Sequence, residues 1–175
     1  MIIQTVADVI ITGLVCTAAW LDFTTHRIPN WLTVTGLAAG LTLRAPLGLA
    51  AFVSGVQGLG VALAVSLLLY ALRAIGGGDV KLLAAVGAFF GFPAVLSALA
   101  LMAVLGGAFA LGMMLRKGLL PLLIFNTIDL VKSWRSLGRT GQLRTLESPG
   151  ALTIPYAVPI AVGTLIWWFG EGAGL

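Results

Sequence analysis

Six apolar runs follow one another along this chain, at residues 2–21, 30–43, 49–72, 80–90, 94–115 and 151–169, and no long polar segment intervenes before residue 116. A bilayer core of about 30 Å is crossed by about 20 apolar residues of helix, so most of these runs read as membrane spans. The second and fourth are short. The first carries one carboxylate, Asp8. It has no basic start and no small-residue cleavage site, so it reads as a span and not as a removable signal peptide. The last carries Pro155 and Pro159, which are expected to kink it. With 59% hydrophobic and 9% charged residues, against about a quarter charged in soluble domains, the chain cannot cover a soluble surface. The 23 glycines suit close helix contacts in lipid. The expected fold is an all-α polytopic bundle of about six transmembrane helices with a cytoplasmic interfacial helix. It forms one membrane-embedded domain over residues 1–175, with a cytoplasmic loop at about 116–150.

Charge placement orients the spans. With the N-terminus outside, Arg27, Arg73, Lys81, Arg116, Lys117, Lys132, Arg135, Arg139 and Arg144 all fall inside, and only Arg44 falls outside. Both termini then lie outside, together with Glu171. The pI of about 9.9 therefore reflects membrane orientation, since the bases do not form a surface with interleaved aromatics that would suit nucleic acid. Within residues 119–137, Asn126, Asp129, Lys132, Ser133 and Ser136 recur at helical spacing opposite Leu120, Leu123, Ile124, Ile128 and Val131. Such a helix lies in the interface near anionic headgroups or packs on the bundle. Cys16 is the sole cysteine, which excludes an internal disulfide and a multi-thiolate zinc site; its apolar surroundings make it a small core residue. No internal repeat is evident.

A charge in a span needs a reason. Asp8 fits the outer headgroups, and Asp129, Glu147 and Glu171 are solvated. Asp22 and Asp79 differ. Asp22 closes the first span at its cytoplasmic end, and Asp79 opens the fourth at the same face, directly after Gly76-Gly77-Gly78. If these helices pack together, the two side chains can meet. Two carboxylates within hydrogen-bonding distance share a proton and titrate as a pair. The ionised one takes a proton from water while the protonated one polarises a peptide carbonyl, which is aspartyl-protease chemistry without metal or cofactor. The glycines would let a backbone substrate approach, adopt dihedrals that other residues avoid, and offer free N–H groups to an oxyanion. A phosphate loop is excluded, because neither G-x-G-x-x-G nor G-K-[ST] is present and the flanks are membrane helices.

The stretch from Asp22 to Ile28-Pro29-Asn30, then Gly76-Gly77-Gly78-Asp79-Val80-Lys81-Leu82, then Ile154-Pro155-Tyr156-Ala157-Val158-Pro159, resembles the type IV prepilin peptidases, a family of GxGD membrane aspartyl proteases. The resemblance implies that Asp22 and Asp79 are the catalytic pair and that Gly76 and Gly78 are the fixed glycines of the motif. Lys81 matches a basic residue that commonly follows; it tunes the carboxylate or snorkels to phosphate. His26 and Arg27 stand beside Asp22, with a loop or headgroup role favoured over acid catalysis. Pro29 and Asn30 start the second helix, Pro in its first turn and Asn as its cap.

The implied substrates are prepilins and pseudopilins, cut after the Gly that ends a short basic leader, at the cytoplasmic face of the plasma membrane. Pilus assembly machinery is the implied context. Larger family members carry an N-terminal domain with paired cysteines, associated with N-methylation. Here the first span starts at residue 2 and Cys16 is alone, so peptidase activity without methyltransfer is expected, as in the short Tad/Flp-type form. Two other classes compete. A proton-coupled transporter would place its carboxylates near mid-membrane within an inverted repeat. A non-catalytic assembly scaffold would need neither aspartate.

Overall fold

A helix that is apolar on every side has to be sheathed on every side, and the run after the triple glycine is such a helix. The computed structural model describes residues 2–72, 74–116 and 155–170. These form α1 (Ile2–Thr25), α2 (Asn30–Arg44), a 3-10 turn (Ala45–Leu47), α3 (Leu49–Ala71), α4 (Gly77–Phe90), α5 (Ala94–Arg116) and α6 (Ala157–Gly170), with no strand among the described residues. The protein is an all-α membrane helix bundle. The interfacial helix expected at 119–137, Arg73 and Glu171 lie outside the described residues. Two compact units are distinguished: residues 1–106 with 155–175, and residues 107–154. Of the second, the described part is the C-terminal portion of α5.

In the first unit α4 is the central rod. Asp79, Val80 and every residue from Leu82 to Phe90 are buried, and α1, α2, α3 and α6 pack around it. The α3 face that meets α4 is made of Gly55, Gly58, Ala62 and Ser66, at spacings of three and four. Small side chains there let the two backbones touch. A Cβ added at Gly87 would stand 2.6 Å from both the Gly58 carbonyl oxygen and the Ala62 Cβ.

Helix lengths depart from six full crossings. Only α1, α3 and α5 among the described residues are long and apolar enough to cross a membrane. The others have 15, 14 and 14 residues, about 21–23 Å at 1.5 Å per residue, less than a bilayer core. The sixth helix begins at Ala157, so Pro155 precedes it and Pro159 sits in its first turn. Proline at that position is accommodated without loss of a helix bond, because no intrahelical N–H is required there. The first helix runs on to Thr25 and carries Asp22 in its last turns.

Burial corrects two further expectations. The inner face of α1 is Ala7, Ile11, Leu14, Val15, Ala18 and Asp22; Cys16 falls on the other face and is exposed. Arg44 is not an outer-loop cation but is 4% exposed. Its Nε donates to the carbonyls of Ala88 (3.1 Å) and Phe89 (3.2 Å), its Nη2 to Phe89 (2.7 Å) and its Nη1 to Ala51 (3.4 Å). Because α4 ends inside the protein, its last carbonyls lack partners, and a cation supplies donors while complementing the helix dipole. Asp8, expected to meet headgroups, has partners within the protein. Its Oδ1 accepts from Trp168 Nε1 at 2.8 Å and from Gln4 Nε2 at 3.0 Å, tying α1 to α6. Trp168 is 2% exposed and stacks on Phe90, centroids 5.5 Å apart. Trp168→Phe keeps the ring contact and removes the donor, so the unfolding free energy in detergent should fall by about 1–2 kcal/mol. An unchanged unfolding curve would show that the bond contributes nothing.

Candidate active site

The α1 end of the site is shaped by how that helix stops. The Thr24 and Thr25 hydroxyls fold back onto the carbonyls of Trp20 and Leu21, and the His26 N–H donates to the Asp22 carbonyl at 2.9 Å. His26 takes the left-handed conformation, φ 52°, at the position where glycine usually ends a helix. Its side chain and that of Arg27 are exposed. Asp22, one turn after Ala18 on the inner face, points into the protein. Its Oδ2 accepts from the N–H of Ala157 at 3.1 Å. Ala157 opens α6, so the carboxylate takes one of the donors that a helix start leaves free.

The α4 end is a capped start. Gly76 precedes the helix with φ −83° and ψ 160°, and its N–H donates to Asp79 Oδ2 at 3.0 Å. This is the reach-back of a third-position acid in a capping box. One expectation about the glycines is corrected here and another is narrowed. None of Gly76, Gly77 and Gly78 has a positive φ, since an ordinary extended-to-helix entry needs none. Of the amides expected to face an oxyanion, that of Gly76 is engaged by Asp79. The value of these glycines is space: a Cβ on Gly78 would stand 3.2 Å from Ile28 Cβ, and one on Gly76 3.3 Å from Asp79 Oδ2. The α1–α2 loop lies on the first turn of α4 at that point.

Asp22 and Asp79, 9% and 7% exposed, are close enough for the charge of one to act on the other. His26 also interacts electrostatically with Asp22. Tyr156, half-buried and directly ahead of Ala157, interacts with Asp79. Sequence reasoning did not single Tyr156 out as a site residue; the signal was its place beside the residue that caps Asp22, which only the fold shows. Lys81 and Asn30 pair with each other, Lys81 Nζ donating to Asn30 Oδ1 at 2.7 Å. Asn30 is thus not the cap of α2. Pro29 holds that position with φ −64° and ψ 140°, and no side chain caps the helix. Lys81 is exposed and meets an amide, not a carboxylate. Among the described residues, no group of three or more His, Cys, Asp or Glu side chains is arranged to hold a metal ion.

No curated protein and no solved structure matches the chain significantly. The model of the type IV leader peptidase family matches residues 9–111, more than half of the chain, including Asp22, the glycine turn and Asp79. With that match added to two buried carboxylates brought together by α1 and α4, the chain belongs to the type IV leader peptidase family.

Proposed function

We propose that this peptidase is an aspartyl endopeptidase that removes the short basic leader of type IV prepilins or pseudopilins, cutting after Gly at the cytoplasmic face, with Asp22 and Asp79 as its catalytic pair. The observation that carries the reading is the convergence of the two carboxylates from separate helices, each buried and each steadied by one backbone N–H. A pair of this kind holds one proton between its members. The ionised member takes a proton from a water molecule as the water oxygen bonds to the scissile carbonyl carbon. The protonated member hydrogen-bonds to the carbonyl oxygen, which becomes the hydroxyl of a tetrahedral intermediate. Collapse of that intermediate breaks the C–N bond: the proton taken from water goes to the leaving amine, and a hydroxyl proton returns to the member that gave one, which leaves a carboxylic acid and a pair again holding one proton.

Gly76 and Gly77 are exposed at the start of α4, and an extended leader would approach Asp79 along them. The Lys81–Asn30 pair, the Pro29 entry into α2, and exposed His26 and Arg27 form the rim that faces water and headgroups. The distribution of basic residues supports a cytoplasmic site with both termini outside. A hydrophobic pilin helix then docks in lipid while its basic leader stays in water, and the product passes to pilus assembly machinery.

Co-expression with a panel of prepilins and pseudopilins, followed by mass measurement of the pilin product, tests the proposal. The expected product begins immediately after the leader Gly, and replacing that Gly by Val leaves the precursor uncut. Full-length precursor in every case would overturn it.

A further inference from the structure

The position of Asp79 is set by α4, and α4 is gripped at both ends by one neighbour. At the near end Lys81 donates to Asn30, the first residue of α2. At the far end Arg44, the last residue of α2, donates to the Ala88 and Phe89 carbonyls. Between these points the two helices lie in direct contact: a Cβ on Gly40 would stand 3.0 Å from Phe89 Cδ2. The guanidinium has a slot made for it. A Cβ on Gly55 would lie 2.6 Å from Arg44 Cδ, and one on Gly91 would lie 2.9 Å from Arg44 Cζ. Its fourth contact, to Ala51 of α3, brings the third helix into the same knot.

Water or a neutral side chain would satisfy the end of a helix. A guanidinium 4% exposed does more, because its donors lie in one plane at fixed angles. Bonding through Nε and Nη2 to two successive carbonyls sets both how far α4 extends along its axis and how it is turned about it. Either freedom would swing Asp79 away from Asp22, since one residue of helix rotation is about 100°. The geometry points to Arg44 as a positioning residue for catalysis, locking α4 to α2 so that Asp79 faces Asp22. This inference rests on the aspartyl-pair reading above.

The test compares Arg44→Met, Arg44→Lys and, as a control with an exposed arginine, Arg116→Met. Purified variants are assayed on a prepilin and, in a Cys16→Ser background, spin-labelled at exposed Phe23 and Ala74 for distance measurement. Arg44→Met should lower kcat by about a hundredfold with KM nearly unchanged, because a catalytic group is displaced and not a binding contact. Its distance distribution should broaden. Arg44→Lys keeps the charge but not the planar fork, so it should recover part of kcat and narrow the distribution. Arg116→Met should match the wild type in both readouts. A folded Arg44→Met with wild-type kcat and an unchanged distribution would overturn the inference. If Arg44→Met fails to fold, a folded Arg44→Lys with wild-type kcat and distances overturns it, and a reduced kcat with broader distances supports it. If the wild type cleaves nothing, the aspartyl reading fails, and the distances alone decide whether Arg44 holds α4 in place.

Discussion

Asp22→Asn should abolish leader cleavage while leaving the bundle nearly as stable as the wild type, whereas Asp22→Ala should lose both. The two losses separate because the Asp22 side chain has two jobs. Its Oδ2 accepts the Ala157 N–H at 3.1 Å and so closes the start of α6. An asparagine carbonyl oxygen accepts the same bond, but an amide neither takes a proton from water nor shares one with Asp79. Removing an acid–base group costs about 10²–10⁴ in rate, and the upper end applies here because the pair acts as one unit. Alanine additionally leaves the buried amide unsatisfied, at about 1–2 kcal/mol. Asp79→Asn should behave like Asp22→Asn, since its oxygen also accepts the Gly76 N–H. Cleavage by gel shift and unfolding in detergent, measured on the same preparations, check this. Retained cleavage in either asparagine variant would eliminate the two-aspartate mechanism.

Gly87→Val should damage the protein as severely, through packing and not chemistry. At this crossing α3 and α4 meet backbone to backbone. A Cβ at Gly87 would stand 2.6 Å from the Gly58 carbonyl oxygen, and one at Gly58 would stand 2.6 Å from the Gly91 Cα and closer still to the Gly87 carbonyl oxygen. Backbone cannot move aside as a flexible side chain can. The helices must separate, which opens the contact along Gly55, Gly58, Ala62 and Ser66 and drags the Arg44 acceptors out of line. We expect a loss of about 3 kcal/mol, the upper range for an overpacked core, together with loss of cleavage. Gly60→Val is the matched control, because an added Cβ there meets nothing within 4 Å. It should express and unfold like the wild type. Equal behaviour of the two variants would mean that the α3–α4 contact is looser than described.

The helices and the two aspartates were legible because each leaves a local signal. Apolar runs mark helices whose solvent is lipid or other helices, and a carboxylate at the end of such a run is conspicuous against it. Asp22 and Asp79 stand at the ends of α1 and α4 for that reason. What could not be read depends on partners far away in the chain. Asp8 and Trp168 meet across 160 positions, and Arg44 meets Phe89 across 45. A count of charges per loop treats Arg44 as an outer cation. It does not know that a short helix ends nearby with carbonyls in need of donors. Cys16 shows the same limit on a smaller scale: an apolar run says that a residue is in a span, but only the packing says which face is inner. The glycine turn was legible in place and not in reason, because space for Ile28 and a left-handed backbone leave the same sequence trace.

Thiol cross-linking in native membranes tests whether Asp22 and Asp79 face one another on the cytoplasmic side. Asp22→Cys and Asp79→Cys are combined in a Cys16→Ser background and treated with a short bifunctional thiol reagent. An intramolecular cross-link is expected, blocked beforehand by a membrane-impermeant thiol reagent in inside-out vesicles and not in intact cells. Absence of the cross-link while each single cysteine reacts, or labelling of the two cysteines from opposite sides of the membrane, would contradict that placement.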